Sequence, residues 1–161
     1  MAVDRQMIEF TPDDIEGVAQ GLGEVIGRGA GWLNIEPIVG EVAMDEIRRT
    51  APPAMVRVFS ARGGKIPFGT FVPGDPRKGG LGQVGLEHSA GPRALNQLRD
   101  AGVVLPAGWR MRQDHSKRGI VCDVPRDEAP AVIVRWILDA SVQLCEIQLT
   151  GWWTAVISLP K

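Results

Sequence analysis

The chain is short of the residues that most often carry chemistry. Of its 161 residues only two are histidine and two are cysteine. Cys122 and Cys145 show no CxxC spacing and have no second cluster of ligand residues, so no metal site is expected, and no cofactor motif appears. The GxxxxGK[ST], HExxH and GxSxG patterns are missing. Charge of one sign is also missing: 18 basic against 19 acidic residues leave a formal net charge of -1, which creates no global field to draw in nucleic acid or an anionic membrane. No apolar run approaches the ~20 residues that span a bilayer. The opening MAVDRQMIEF has an acid at Asp4 and no apolar stretch, so it does not read as a secretory signal. A cytoplasmic protein with reduced core thiols is the expectation.

What is present is ordinary for a globular chain: 44% hydrophobic and 23% charged residues, with 20 glycines and 12 prolines spread as punctuation between short elements. At this length one domain is expected, burying about two-thirds of its unfolded surface.

In TPDDIEGVAQGLGEVIG, Thr11 reads as an N-cap and Pro12 as the first helical residue. Ile15, Val18, Ala19, Leu22, Val25 and Ile26 follow at helical spacing. Gly17, Gly21 and Gly23 weaken that helix and suggest a close neighbour. GWLNIEPIV alternates as a strand. MVRVFSARGGKIPFGTFVPG reads as a hairpin, with Val56 and Val58 on one arm and Ile66, Phe68 and Phe71 on the other. PGDPRKGGLG is a Gly/Pro-rich connector that holds Arg77 and Lys78 without a phosphate-loop pattern.

The second half reads as a strand (QVGLEH), a helix (PRALNQLRDAG), two strands joined by a short turn (WRMRQDH, IVCDVP), a long helix with Asp127 as its cap, and a closing strand (GWWTAVISLP). That order is β-α-β-β-α-β. The expected fold class is therefore α+β: a ferredoxin-like half over 83–161 with helices on one face of an antiparallel sheet. The 73–82 connector precedes it, and an N-terminal region over 1–72 packs on it or extends its sheet.

Two features carry the functional expectations. His88-Ser89 and His115-Ser116 are the chain's only histidines, each followed by serine and each ending a predicted strand. Strand parity puts His88 on a face with Val84 and Leu86, and His115 on a face with Trp109, Met111 and Gln113, so both continue apolar rows. A right-handed crossover makes the two strands parallel, with Ile120–Val124 between them and their ends ~10 Å apart. His88, Arg93, His115, Lys117 and Arg118 then form a candidate site for a small anion such as phosphate or carboxylate, beside a helix start. The competing reading is structural: each histidine bonds a backbone group and plugs a sheet end. The His-x-Ser/Thr pattern of two-histidine phosphoesterases is not met, since Ala90 and Lys117 stand where the hydroxyl belongs.

The second feature is the long helix. Ile133, Trp136, Ile137, Ala140 and Leu144 make one apolar stripe, and Val134, Leu138, Val142 and Cys145 make another. A helix apolar on two sides needs two partners. Val134, Leu138 and Val142 are the candidate interface residues, toward the N-terminal half or a second subunit. The sheet face away from the helices carries Gln83, Glu87, Arg110, Arg112, Asp114, Asp123 and Trp152, a mixed-charge surface without an aromatic platform, which argues against nucleic acid.

The leading functional expectation is a non-catalytic binding or assembly module, homo-oligomeric or bound to a protein partner. The alternative is an enzyme or sensor for a small anionic ligand, a phosphate-bearing one among the options, at the His88/His115 edge.

Overall fold

The computed structural model describes residues 2–50 and 63–161. Seven strands are present among them: β1 (Val3–Phe10), β2 (Trp32–Pro37), β3 (Phe68–Val72), β4 (Gly82–Glu87), β5 (Arg110–His115), β6 (Gly119–Val124) and β7 (Trp153–Pro160). Four helices accompany them: α1 (Glu16–Arg28), α2 (Glu41–Thr50), α3 (Ala94–Asp100) and α4 (Pro130–Leu144). The strands form one sheet in the order β1-β7-β2-β3-β4-β6-β5, with every neighbouring pair antiparallel.

This is an α+β protein, but its sheet departs from the ferredoxin-like order expected for 83–161. In that order β7 would lie against β4. Here β2 and β3 stand between them, so the N-terminal half extends the sheet from within. One part of the expectation holds locally: β6 separates β4 from β5, which therefore run parallel to each other. The strand expected around Val56 and Val58 lies outside the described residues.

The core follows from strand parity. Leu33 of β2 faces Phe71 of β3 and Ile157 of β7, and Val84 of β4 faces Phe71 and Cys122, so one apolar row crosses the sheet. All of these side chains are buried, together with Val18, Leu22 and Val25 of α1 and Ala94 and Leu98 of α3. Gly21 of α1 marks a close helix–sheet approach, because a Cβ there would stand 2.0 Å from Ile157 Cδ1. The helix glycine therefore serves packing, as its position suggested. Neither Gly17 nor Gly23 meets an atom that close.

Several boundaries differ from the sequence reading. Helix α1 starts at Glu16 with no side-chain cap, because residues 11–14 close a turn in which the Asp14 N–H donates to the Thr11 carbonyl at 3.0 Å. Helix α4 starts at Pro130 behind Ala129, and Asp127 does not cap it. Strand β1 and helix α2 are additional elements. Only Ile8 and Phe10 of β1 approach the core, and α2 buries no residue, so neither carries an apolar pattern of the usual strength.

The first stripe of α4 and half of the second are buried within the chain. Ile133, Trp136, Ile137, Ala140 and Leu144 are buried, and so are Val134 and Leu138. Helix α4 packs against α1, α3, β3 and β4, which supplies the second partner its composition demanded. Val134 and Leu138 are thus core residues and not an intermolecular surface. Val142 alone of the three interface candidates is exposed, at 52%.

Candidate functional site

His88 follows the last residue of β4 and continues its buried row after Val84 and Leu86. Its Nδ1 accepts the Ala90 N–H at 3.1 Å. An imidazole nitrogen that accepts a backbone N–H carries no proton, which assigns the proton to Nε2. That Nε2 is buried and has no hydrogen-bond partner among the described residues. Burial lowers the pKa of His88 below the ordinary histidine value, and the Asp114 carboxylate opposes this in part. His88 is a neutral imidazole sealed inside the protein.

His115 ends β5 and makes the same turn. Its Nδ1 accepts the N–H groups of Lys117 and Arg118, each at 3.1 Å. The surroundings differ, because His115 is only partly buried. Its face differs as well. A bulge between Met111 and Gln113 shifts the β5–β6 register, so that Asp114 pairs with Ile120 and His115 with Gly119. One extra residue reverses the alternation of everything after it. Asp114 therefore turns to the helix side and His115 away from it, which corrects the parity expected from a regular strand.

The consequence reaches the expected anion site. Asp114 Oδ1 accepts the Ala94 N–H at 3.1 Å, and Oδ2 accepts the Leu95 N–H at 3.0 Å. These are the first donors of α3, the groups that a bound anion would have used. The chain's own carboxylate fills the place predicted for phosphate. Arg93 precedes it with φ of 58°, exposed, and Arg118 is exposed at the β5–β6 turn.

The structure does bring the two histidine turns together, through backbone. The Gly63 N–H donates to the Ser116 carbonyl at 3.1 Å, and a Cβ on Gly63 would stand 2.4 Å from the His88 carbonyl oxygen. Gly119, at φ of 83°, lies against β4 so closely that a Cβ would meet the Leu86 carbonyl oxygen at 2.2 Å. No side chain fits either place. The two side chains that lead the candidate set, His88 and His115, point to opposite faces.

Other chemical candidates are equally engaged. Cys122 is buried, and burial pushes its thiol up to about 12, which leaves no thiolate for nucleophilic work at neutral pH. In the 73–82 connector Asp75 uses the local donors itself. Its side chain accepts the Arg77 N–H at 2.9 Å, and its carbonyl accepts from Lys78 and Gly80. Among the described residues no three His, Cys, Asp or Glu side chains are grouped to hold a metal ion. Nor is any helix among them long and apolar enough to cross a membrane.

The sheet's other face is a surface the sequence reading underrated. Helices α1, α3 and α4 all pack on one side. On the opposite side Met7, Val156, Asn34, Thr70, Gly85 and Val121 line one row, with Thr70 Oγ1 donating to Asn34 Oδ1 at 3.0 Å. A concavity of about 240 Å³ lies there, lined by Arg5, Trp32, Phe68 and Ser158 among others. Farther along, Asp123 accepts from Gln83 and pairs with Arg112. The face is mixed in charge, with Arg5, Glu9, Glu36 and Glu87 exposed on it. Trp32 and Phe68 were legible only as strand residues, because the strand order that brings both onto one open face is set by pairings distant in sequence.

Comparison with known proteins identifies no relative: no family model, curated protein or solved structure matches this chain.

Proposed function

We propose that this protein is a non-catalytic binding or assembly module that works as a homo-oligomer. The observation that carries the reading is the sheet. Its helices protect one face, while the other face, with Trp32, Phe68 and Met7, and the outer edge of β1 lack a covering layer among the described residues. Large sheet surfaces of this kind are where proteins add partners. The chemical groups argue in the same direction. Both histidines use Nδ1 to hold a turn, Asp114 caps α3, and the Cys122 thiol is sealed in the core. Two free thiols, one of them deeply buried, suit a reducing compartment, and the proposal places the module in the cytoplasm.

Light scattering on the purified protein over a hundred-fold dilution tests this. A mass above that of one chain, falling on dilution, is the expected result. A monomer at every concentration overturns it. One observation favours the competing reading of a small anionic ligand at the His88/His115 edge, namely the His88 Nε2, which has no hydrogen-bond partner among the described residues. Native mass spectrometry separates the two, since that reading requires a retained anionic mass that disappears in a His88→Asn, His115→Asn double variant.

A further inference from the structure

The sheet has two edges, and they are built differently. β5 is six residues long, carries the bulge between Met111 and Gln113, and presents Arg110 and Arg112. Bulges and clustered like charges are devices that keep an edge from pairing. β1 has neither. It runs eight residues in unbroken register with β7, from Val3 opposite Pro160 to Phe10 opposite Trp153.

The phase of its hydrogen bonds follows from one contact. The Lys161 N–H donates to the Ala2 carbonyl at 3.0 Å, so these two residues form a hydrogen-bonded pair one step beyond Val3 and Pro160. In an antiparallel ladder such pairs recur at every second residue. Asp4, Gln6, Ile8 and Phe10 therefore bond toward β7. Val3, Arg5, Met7 and Glu9 direct their N–H and C=O groups outward, where β1 is the terminal strand of the sheet.

We infer that β1 pairs antiparallel with β1 of a second copy, with the twofold axis at Met7. The inference rests on the homo-oligomeric reading above and names its interface. In this register Met7 meets Met7, Gln6 meets Ile8, and Arg5 of each copy stands opposite Glu9 of the other, so two ion pairs flank the axis. Symmetry and parity leave few alternatives, because opposed residues must share a face. Centring on Gln6 sets Arg5 against Met7 and Glu9 against Val3. Centring on Arg5 sets like charges together. Centring on Ile8 sets Glu9 against Met7. Only the Met7 register matches both charges, and opposite charges across a strand pair stabilise it where like charges destabilise it. Arg5, Met7 and Glu9 are all exposed in the single chain, Met7 at 70%. The twofold stands perpendicular to the sheet, so two seven-stranded sheets become one continuous sheet with both helix layers on the same side.

The test uses the full chain and measures mass against concentration. Arg5→Glu sets Glu against Glu9 and is expected to weaken the dimer about ten-fold or more. The double variant Arg5→Glu, Glu9→Arg restores the opposite charges and is expected to restore the dimer. Met7→Cys is expected to give a disulfide-linked dimer on mild oxidation, and Gln6→Cys is not, because in this register Gln6 faces Ile8. A dimer unaffected by Arg5→Glu, or one that cross-links through Gln6→Cys and not Met7→Cys, overturns the interface while the homo-oligomeric reading stands. A wild-type chain that stays monomeric overturns both.

Discussion

The turns that follow β4 and β5 start from the same dipeptide and close with the same bond. In each, the histidine Nδ1 accepts the N–H two residues ahead, at 3.1 Å in both cases. This is the geometry by which short polar side chains commonly hold a turn, here made by imidazole. Burial separates them. His88 is wholly enclosed and its Nε2 has no partner among the described residues, whereas His115 is partly open to water and holds a second N–H, from Arg118. The repeated His-Ser pair is thus a repeated solution to ending a strand. What differs is the face of the sheet on which each strand leaves its ring, and with it how far water reaches the ring.

The largest expected effect would break the equivalence outright. His88→Ala removes a buried ring and the acceptor for the Ala90 N–H, and cavity formation at such a site costs about 2–4 kcal/mol. Urea unfolding would show it as a lower midpoint. A loss under 1 kcal/mol would mean the enclosed ring adds little to the fold, and the contrast with His115 would fall. Next in size is Asp114→Ala. It strips two N–H groups at the start of α3 of their acceptor, and loss of a capping side chain costs about 1–2 kcal/mol. Asp114→Asn, which keeps one acceptor oxygen, should lose less. Equal losses would show that charge, and not hydrogen bonding, makes the cap.

Much of this arrangement was legible in the sequence, and the failures have physical causes. Strands β2 and β4 alternate strictly because one face of each meets the helix layer, and parity alone placed His88 inside. The same argument misplaced His115 and Asp114, because the bulge after Met111 leaves no mark in the residue pattern. With Asp114 on the wrong face its role at α3 was invisible, and the start of that helix looked vacant. Strand β1 escaped notice because an edge strand with one neighbour needs little apolar content. Helix α2 escaped because none of its residues is buried. The strand order was beyond reach for a different reason: inserting β2 and β3 between β7 and β4 is decided by pairings distant in sequence.

A smaller effect, in pH, would sharpen the comparison. The folded state holds His88 below its ordinary value of 6.5. Above pH about 6.5 the ring is neutral in both folded and unfolded chains, so its contribution to stability is fully present there. As pH falls below that value the unfolded chain binds the proton first and stability declines, until the folded ring is protonated as well. His88→Asn retains an acceptor for the turn and removes the titration. Its melting temperature should start lower than that of wild type and fall less steeply between pH 7 and pH 5. Parallel slopes in the two proteins would place the acid sensitivity elsewhere.

The smallest effect belongs to His115. Its Nδ1 bonds hold a turn at a strand end that water can reach, so His115→Ala exchanges two protein hydrogen bonds for solvent ones at a cost of about 1 kcal/mol or less. The β5–β6 turn has further support that does not pass through the ring: Gln113 Nε2 donates to the Arg118 and Gly119 carbonyls at 3.3 and 3.1 Å, and Gly63 holds the Ser116 carbonyl. Hydrogen exchange on the amides of Lys117 and Arg118 reads this directly. In His115→Ala those two amides should exchange faster while the Ala90 amide, held by His88, keeps its protection. If Ala90 is deprotected as well, the two turns are coupled through Gly63 and the backbone they share, and the histidines would have to be treated as one unit.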